Sequence, residues 1–187
     1  MKKRTLVFNA PFVLGFCFAC VAVLVVGIFT QGKSSELLFL VYRAPLDDPF
    51  TYPRFLLHVL GHANWAHLVG NISYILLLGP MLEERYGAKK LLLLMVITAL
   101  ISGIVNFIFF PEAALCGASG VVFAFILLTS FTSFKNGGIP VTVILVAILY
   151  LGQQVYEGIF TADDVSQLSH IIGGLVGAAA GYAWNKK

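Results

Sequence analysis

Three separated stretches of this chain carry side chains that could do chemistry together. They are Gly117-Ala118-Ser119-Gly120, His170 with Gly173, Gly174 and Gly177 behind it, and His67 with Asn71. A serine hydroxyl is a weak nucleophile until a base takes its proton, and histidine is the usual base at neutral pH. Ser119 and His170 are therefore a candidate nucleophile and base for acyl transfer. Asp163 and Asp164 stand about two turns before His170 and no acid lies nearer within its run, so a dyad is expected rather than a triad. Acyl transfer also needs donors aimed at the developing oxyanion. His67 and Asn71 are four apart and share one helical face. The Ser119 N–H, at the head of a helix, adds a backbone donor with a favourable dipole. Phe123, one turn beyond Ser119, is placed to pack against the imidazole and hold its rotamer.

The elements that must position these groups are membrane helices. Of the 187 residues 59% are apolar and only 11% charged, whereas a water-soluble domain carries roughly a quarter charged residues. Nucleic-acid binding is set aside, because no basic stripe interleaved with aromatics exists. At about 20 residues per span, residues 1–187 are expected to form one domain with six spans. These are read at about 9–30, 64–82, 90–110, 116–134, 139–156 and 166–184. Lys2-Lys3-Arg4 followed by the first run resembles a leader, but the run is too long and no small-x-small site follows, so a retained span is expected. Residues 31–63, punctuated by Pro45, Pro49 and Pro53 yet rich in Leu, Phe and Tyr, are expected to lie in the membrane interface.

Charge placement sets the orientation. With the N-terminus cytoplasmic, the inner side holds Lys2, Lys3, Arg4, Arg85, Lys89, Lys90, Lys135, Lys186 and Lys187, and the outer side keeps only Lys33, Arg43 and Arg54. Most acids (Glu36, Asp47, Asp48, Glu112, Glu157, Asp163 and Asp164) fall outside. Both termini are then cytoplasmic, and spans two, four and six all begin at the outer leaflet. His67, Asn71, Ser119 and His170 fall in the first turns of those spans, so topology alone puts them in one slab below the outer surface. The glycines around Ser119 and after His170 allow spans four and six to approach closely.

The remaining polar residues carry simpler expectations. Cys17 and Cys20 are small core residues of one helix, and Cys116 is filler without a dedicated base. His58 and His62 are expected to bond loop carbonyls and shape the entry to span two. Gln153 and Gln154 could hydrate a water path or bond between helices. Glu83, Glu84 and Arg85 are read as a solvated inner-loop cluster. The outer loop Glu157 to Val165, with Phe160, is expected to cap a wet cavity while span five tilts to admit a substrate helix.

Taken together these motifs resemble the rhomboid intramembrane serine proteases. The resemblance rests on His58-x3-His62-x4-His67-x3-Asn71, on Gly117-Ala118-Ser119-Gly120, on His170 followed by Gly173, and on Glu84-Arg85-x-Gly87. Tyr42-Arg43 stands where that family often has Trp-Arg, and Leu168-Ser169 precede the histidine where smaller residues are common. The resemblance implies an all-α, six-span rhomboid-like bundle. It also implies Ser119 as nucleophile, His170 as base, His67 and Asn71 as oxyanion donors, and Phe123 as the aromatic stacked on the histidine. The implied activity is cleavage of single-span membrane proteins near the outer leaflet, with no metal or cofactor, in the plasma membrane with the site on the non-cytoplasmic side. Two other readings stay open: an inactive rhomboid-like protein that binds membrane clients, and a His-rich membrane protein that binds metal or haem through pairs such as His58 and His62.

Overall fold

The computed structural model describes residues 9–133, 140–160 and 164–186. Among these residues the regular structure is helical, with one isolated antiparallel bridge between Val41 and Leu115 and no strand. The helices are α1 (Pro11–Phe29), α2 (Thr51–Leu57), α3 (Trp65–Tyr86), α4 (Ala88–Phe109), α5 (Ser119–Ser130), α6 (Val141–Phe160) and α7 (Asp164–Asn185). Helices α1, α3 and α4 are each long and apolar enough to cross a bilayer, and α5 and the Val141–Gly152 part of α6 are shorter apolar stretches.

At 12 residues α5 rises about 18 Å, well short of a hydrocarbon core of about 30 Å. It starts later than the run expected over 116–134, because Gly117 takes φ +119° and stops the helix from extending back past Ser119, and it ends in a 3-10 turn, Phe131–Ser133. Irregular backbone survives at membrane depth only where it is buried in protein and satisfied. That condition is met here. Val41 and Leu115 exchange backbone hydrogen bonds of 2.9 and 2.8 Å, and the Gly117 N–H donates to the His58 carbonyl at 2.9 Å. Apart from Phe123, the residues from Gly120 to Leu128 are buried, so α5 is apolar all round, as a central helix must be.

Helix α7 lies backbone to backbone on α5. A Cβ built on Gly173 would overlap the Gly120 carbonyl, and one on Gly177 would overlap the Ala124 carbonyl. Small residues let membrane helices approach this way.

Helix α1 begins with Pro11 at its first position, and Ala10 provides no side-chain cap. Its exposed N–H groups are met instead from α3. The Glu83 carboxylate accepts from Phe12 N at 3.0 Å and from Val13 N at 2.9 Å. This corrects the expectation that Glu83 belongs to a solvated cluster. Helix α3 runs on to Tyr86, which turns Glu83 inward, where its charge meets the positive end of α1. Glu84 and Arg85 are exposed.

The segment 31–63 is not merely broken chain. It folds into a π-helical turn (Ser35–Phe39), α2 and a 3-10 turn (His58–Leu60). Buried Arg54 organises it, pairing with Asp48 at 2.9 Å, donating to the Leu37 carbonyl at 3.0 Å and lying over the Tyr42 ring. Arg43 donates to the Phe107 carbonyl at 2.9 Å in the last turn of α4 and lies over the Phe107 ring. Tyr42-Arg43 thereby joins this segment to α4, the arginine meeting carbonyls that a helix end leaves without partners.

Candidate active site

Ser119 is the first residue of α5, half-buried, directly after the Gly117 turn. A side chain on Gly117 would put its Cβ 2.7 Å from His67 Cε1 and Nε2 and 3.6 Å from Asn71 Nδ2. Both α3 residues therefore abut the backbone two positions before the serine. Asn64 fixes the start of α3: its Oδ1 accepts the His67 N–H at 2.9 Å, which is the ordinary N-cap bond. Asn71 is buried, and its Nδ2 has no hydrogen-bond partner within the described protein. A buried donor left open in this way is uncommon and calls for an acceptor.

Helix α7 packs on the same stretch of α5. The His170 ring stacks on Phe123 with centroids 4.4 Å apart and planes 7° from parallel. Phe123 in turn meets Tyr150 of α6 edge-on at 6.1 Å. A Cβ on Gly120 would lie 3.1 Å from Ser169 Oγ and 3.3 Å from the Ser169 carbonyl, a tight fit where α7 crosses. Two helices thus meet the chain around Ser119: His67 and Asn71 of α3 lie against Gly117, two residues before it, and His170 of α7 lies on Phe123, four residues after it.

A family model described as Rhomboid domain matches residues 49–187. The chain belongs to the rhomboid family. Relatives include the rhomboid protease GlpG of Haemophilus influenzae, 34% identical over 95 residues, covering 50% of this chain and 48% of the relative. Rhomboid-related protein 2 of Mus musculus is 29% identical over 73% of this chain and 52% of its own length. The Arabidopsis thaliana rhomboid-like protein 11, chloroplastic, is 24% identical over 80% of this chain and 56% of its own. The chain spans roughly half the length of these relatives. With its apolar helices, this rhomboid is an integral membrane protein.

In this rhomboid both other histidines bond backbone carbonyls: His58 Nδ1 is 3.2 Å from the Arg54 carbonyl, and His62 Nδ1 is 3.1 Å from that of Leu60. Burial pushes each imidazole from its ordinary 6.5 down to about 4, so both are neutral at pH 7. His62 also meets His67 ring to ring, edge-on at 5.0 Å. Among the described residues no three His, Cys, Asp or Glu side chains are grouped to hold a metal. The free Cys17 and Cys20 are buried in α1.

Sequence reasoning missed a polar stripe behind the site. Thr98, Ser102 and Asn106 stand four apart on α4, all buried. Ser102 Oγ is 3.4 Å from His58 Nε2, and Asn106 Nδ2 donates to the Val41 and Ala113 carbonyls, each at 3.2 Å. The four-residue spacing of polar groups on an apolar helix was the available signal. Residues 161–163, and the side chains of Gln153, Gln154 and Phe160, lie outside the described ones, as does Lys135.

Proposed function

We propose that this rhomboid is an intramembrane serine endopeptidase. The observation that carries the reading is the flanking of Ser119 on both sides in the chain, Gly117 lying against His67 and an unpartnered Asn71 amide and Phe123 against the His170 ring. The GlpG relatives, rhomboid proteases by name, support it.

In this reading His170 takes the Ser119 proton as the hydroxyl oxygen attacks a peptide carbonyl. The oxyanion is met by the Ser119 N–H, Asn71 Nδ2 and His67. His170 then passes the proton to the departing amine, leaving an acyl-enzyme. Water, deprotonated by the same imidazole, attacks the ester and restores the serine. The stack with Phe123 fixes the ring plane through both halves.

The substrates are single-span membrane proteins cut near the outer leaflet, with small residues at the scissile site and no cofactor required. Six spans and a plasma-membrane location complete the proposal, and the cytoplasmic termini and non-cytoplasmic site rest on the basic-residue bias. Substrate enters between α3 and α6, so a disulfide engineered between them should stop cleavage of membrane substrates.

A serine-directed fluorophosphonate tests the core of the reading. The purified protein should label, and Ser119→Ala and His170→Ala should not. Failure of the folded wild-type protein to label, or labelling retained in Ser119→Ala, would overturn it.

A further inference from the structure

Away from the Ser119 turn, the fold contains an apolar hollow of about 280 Å³ between α1, α4 and the α2 segment. Helices α1 and α4 both pack on α3, and the hollow lies in the gap between them. Phe12 and Phe16 form one wall and Leu92 and Val96 the other, while Leu57 and Leu60 roof it. Connectivity orients it. Glu83 ties the first turn of α1 to the end of α3, and Gly87 alone separates α3 from α4. The first turns of α1 and α4 therefore stand at the same membrane face, and the groove runs from that face toward the α2 roof.

An apolar wall without neighbours forfeits its dispersion contacts, and an apolar cavity does not hold water. A cavity of roughly 150 Å³ takes benzene, so this groove has room for a run of about ten methylene groups. In a bilayer the matter that fits is a lipid tail.

The end of the groove beside the first turn of α4 is where a headgroup would sit. Lys89 precedes Leu92 by three residues and Val96 by seven, so it stands on the groove face of α4. It is exposed, in the first turn of a helix whose N-cap, Gly87, brings no side chain to its N–H groups. A cation there opposes the helix's own positive end. Its neighbour Lys90 is compensated by the Tyr86 and Trp184 rings, 6.0 and 5.3 Å away, whereas Lys89 makes neither contact. The nearby Glu83 carboxylate is taken up by the Phe12 and Val13 amides. Lys89 is left as the uncompensated charge beside the groove.

We propose that this groove holds one acyl chain of an anionic glycerophospholipid from the leaflet at the Lys89 end, with the phosphate on Lys89 and the first-turn amides of α4. The site is separate from the Ser119 turn and stands whether or not the protein cleaves peptides.

The test is to reconstitute the full chain in nanodiscs of equal phosphatidylglycerol and phosphatidylcholine, and to weigh the lipids it retains by native mass spectrometry. One phosphatidylglycerol per chain is expected, favoured over phosphatidylcholine by about fivefold, the factor one lysine is worth near an anionic surface. Lys89→Gln, at an exposed position that leaves the fold intact, should bring that ratio to about one. Val96→Phe, narrowing the groove, should lower retention of both lipids several-fold by the same measurement. Equal retention of the two lipids by the wild-type chain, or an unchanged preference in Lys89→Gln, would overturn the proposal.

Discussion

Asn71 carries a buried amide that no group in the described protein accepts from, beside the turn that presents Ser119. Under the proposed mechanism that donor is engaged only when the carbonyl oxygen gains charge. Removing one such donor typically raises the barrier by about 2.7–4 kcal/mol. Asn71→Ala should therefore lower kcat by about 10²- to 10³-fold with KM little changed, read in a peptide-cleavage assay in detergent; a raised KM with kcat unchanged would assign Asn71 to ground-state binding. Phe123 acts differently, since it touches the base rather than the substrate. Phe123→Ala frees the His170 ring and should slow fluorophosphonate labelling, while Phe123→Tyr, which keeps the stacking face, should restore it. The shared faces of these residues were legible beforehand because helix periodicity converts spacing into a face: His67 and Asn71 four apart, Ser119 and Phe123 four apart. Tyr150 was not, because its edge-on contact with Phe123 depends on the rotation of α6 about its own axis. No spacing within one helix specifies that rotation.

At the scale of elements, the site depends on α7 lying directly on α5. Gly173 and Gly177 permit this because each faces a carbonyl of α5 with no room for a side chain. Forcing atoms into packed contacts typically costs about 1–3 kcal/mol, and backbone offers less relief than a side chain would. Gly177→Leu should therefore lower the Tm and, by moving His170 with its helix, also abolish labelling; a lowered Tm with full labelling would separate the packing from the chemistry. The α1–α3 junction is the second such dependence. Glu83→Ala leaves two N–H groups of α1 without their acceptor, a loss of about 1–3 kcal/mol, seen as a lower Tm with the labelling rate preserved. Apolar runs announced most of the helices, yet two features escaped them. The start of α5 is governed by one positive-φ glycine rather than by hydropathy. Glu83 read as solvated because its partners, two backbone amides, leave no mark in a sequence.

At the scale of the whole molecule, the segment 31–63 joins α4 to the Ser119 turn through His58. Its ring reaches the Arg54 carbonyl and the Ser102 hydroxyl, and its own carbonyl accepts the Gly117 N–H. That role requires a neutral imidazole, because burial leaves the charged form without solvent. Its pKa falls from 6.5 to about 4 for that reason, and burial likewise lowers His62 to about 4. As pH falls below 6.5 the unfolded chain takes up protons at these positions that the folded chain refuses, so stability decreases with acidification. The contribution is fully present above about pH 6.5 and is lost progressively as pH drops toward 4. Thermal melts in detergent should give a Tm that is flat above neutrality and declines through this window. His58→Gln retains a polar side chain but cannot titrate there. It should lower the Tm at pH 7.5, where the His58 bonds are missed, and reduce the slope between pH 6.5 and 4.5. A slope identical to that of the wild-type protein would mean that other groups govern the acid response, and that the junction between segment 31–63 and the Ser119 turn is insensitive to the charge on His58.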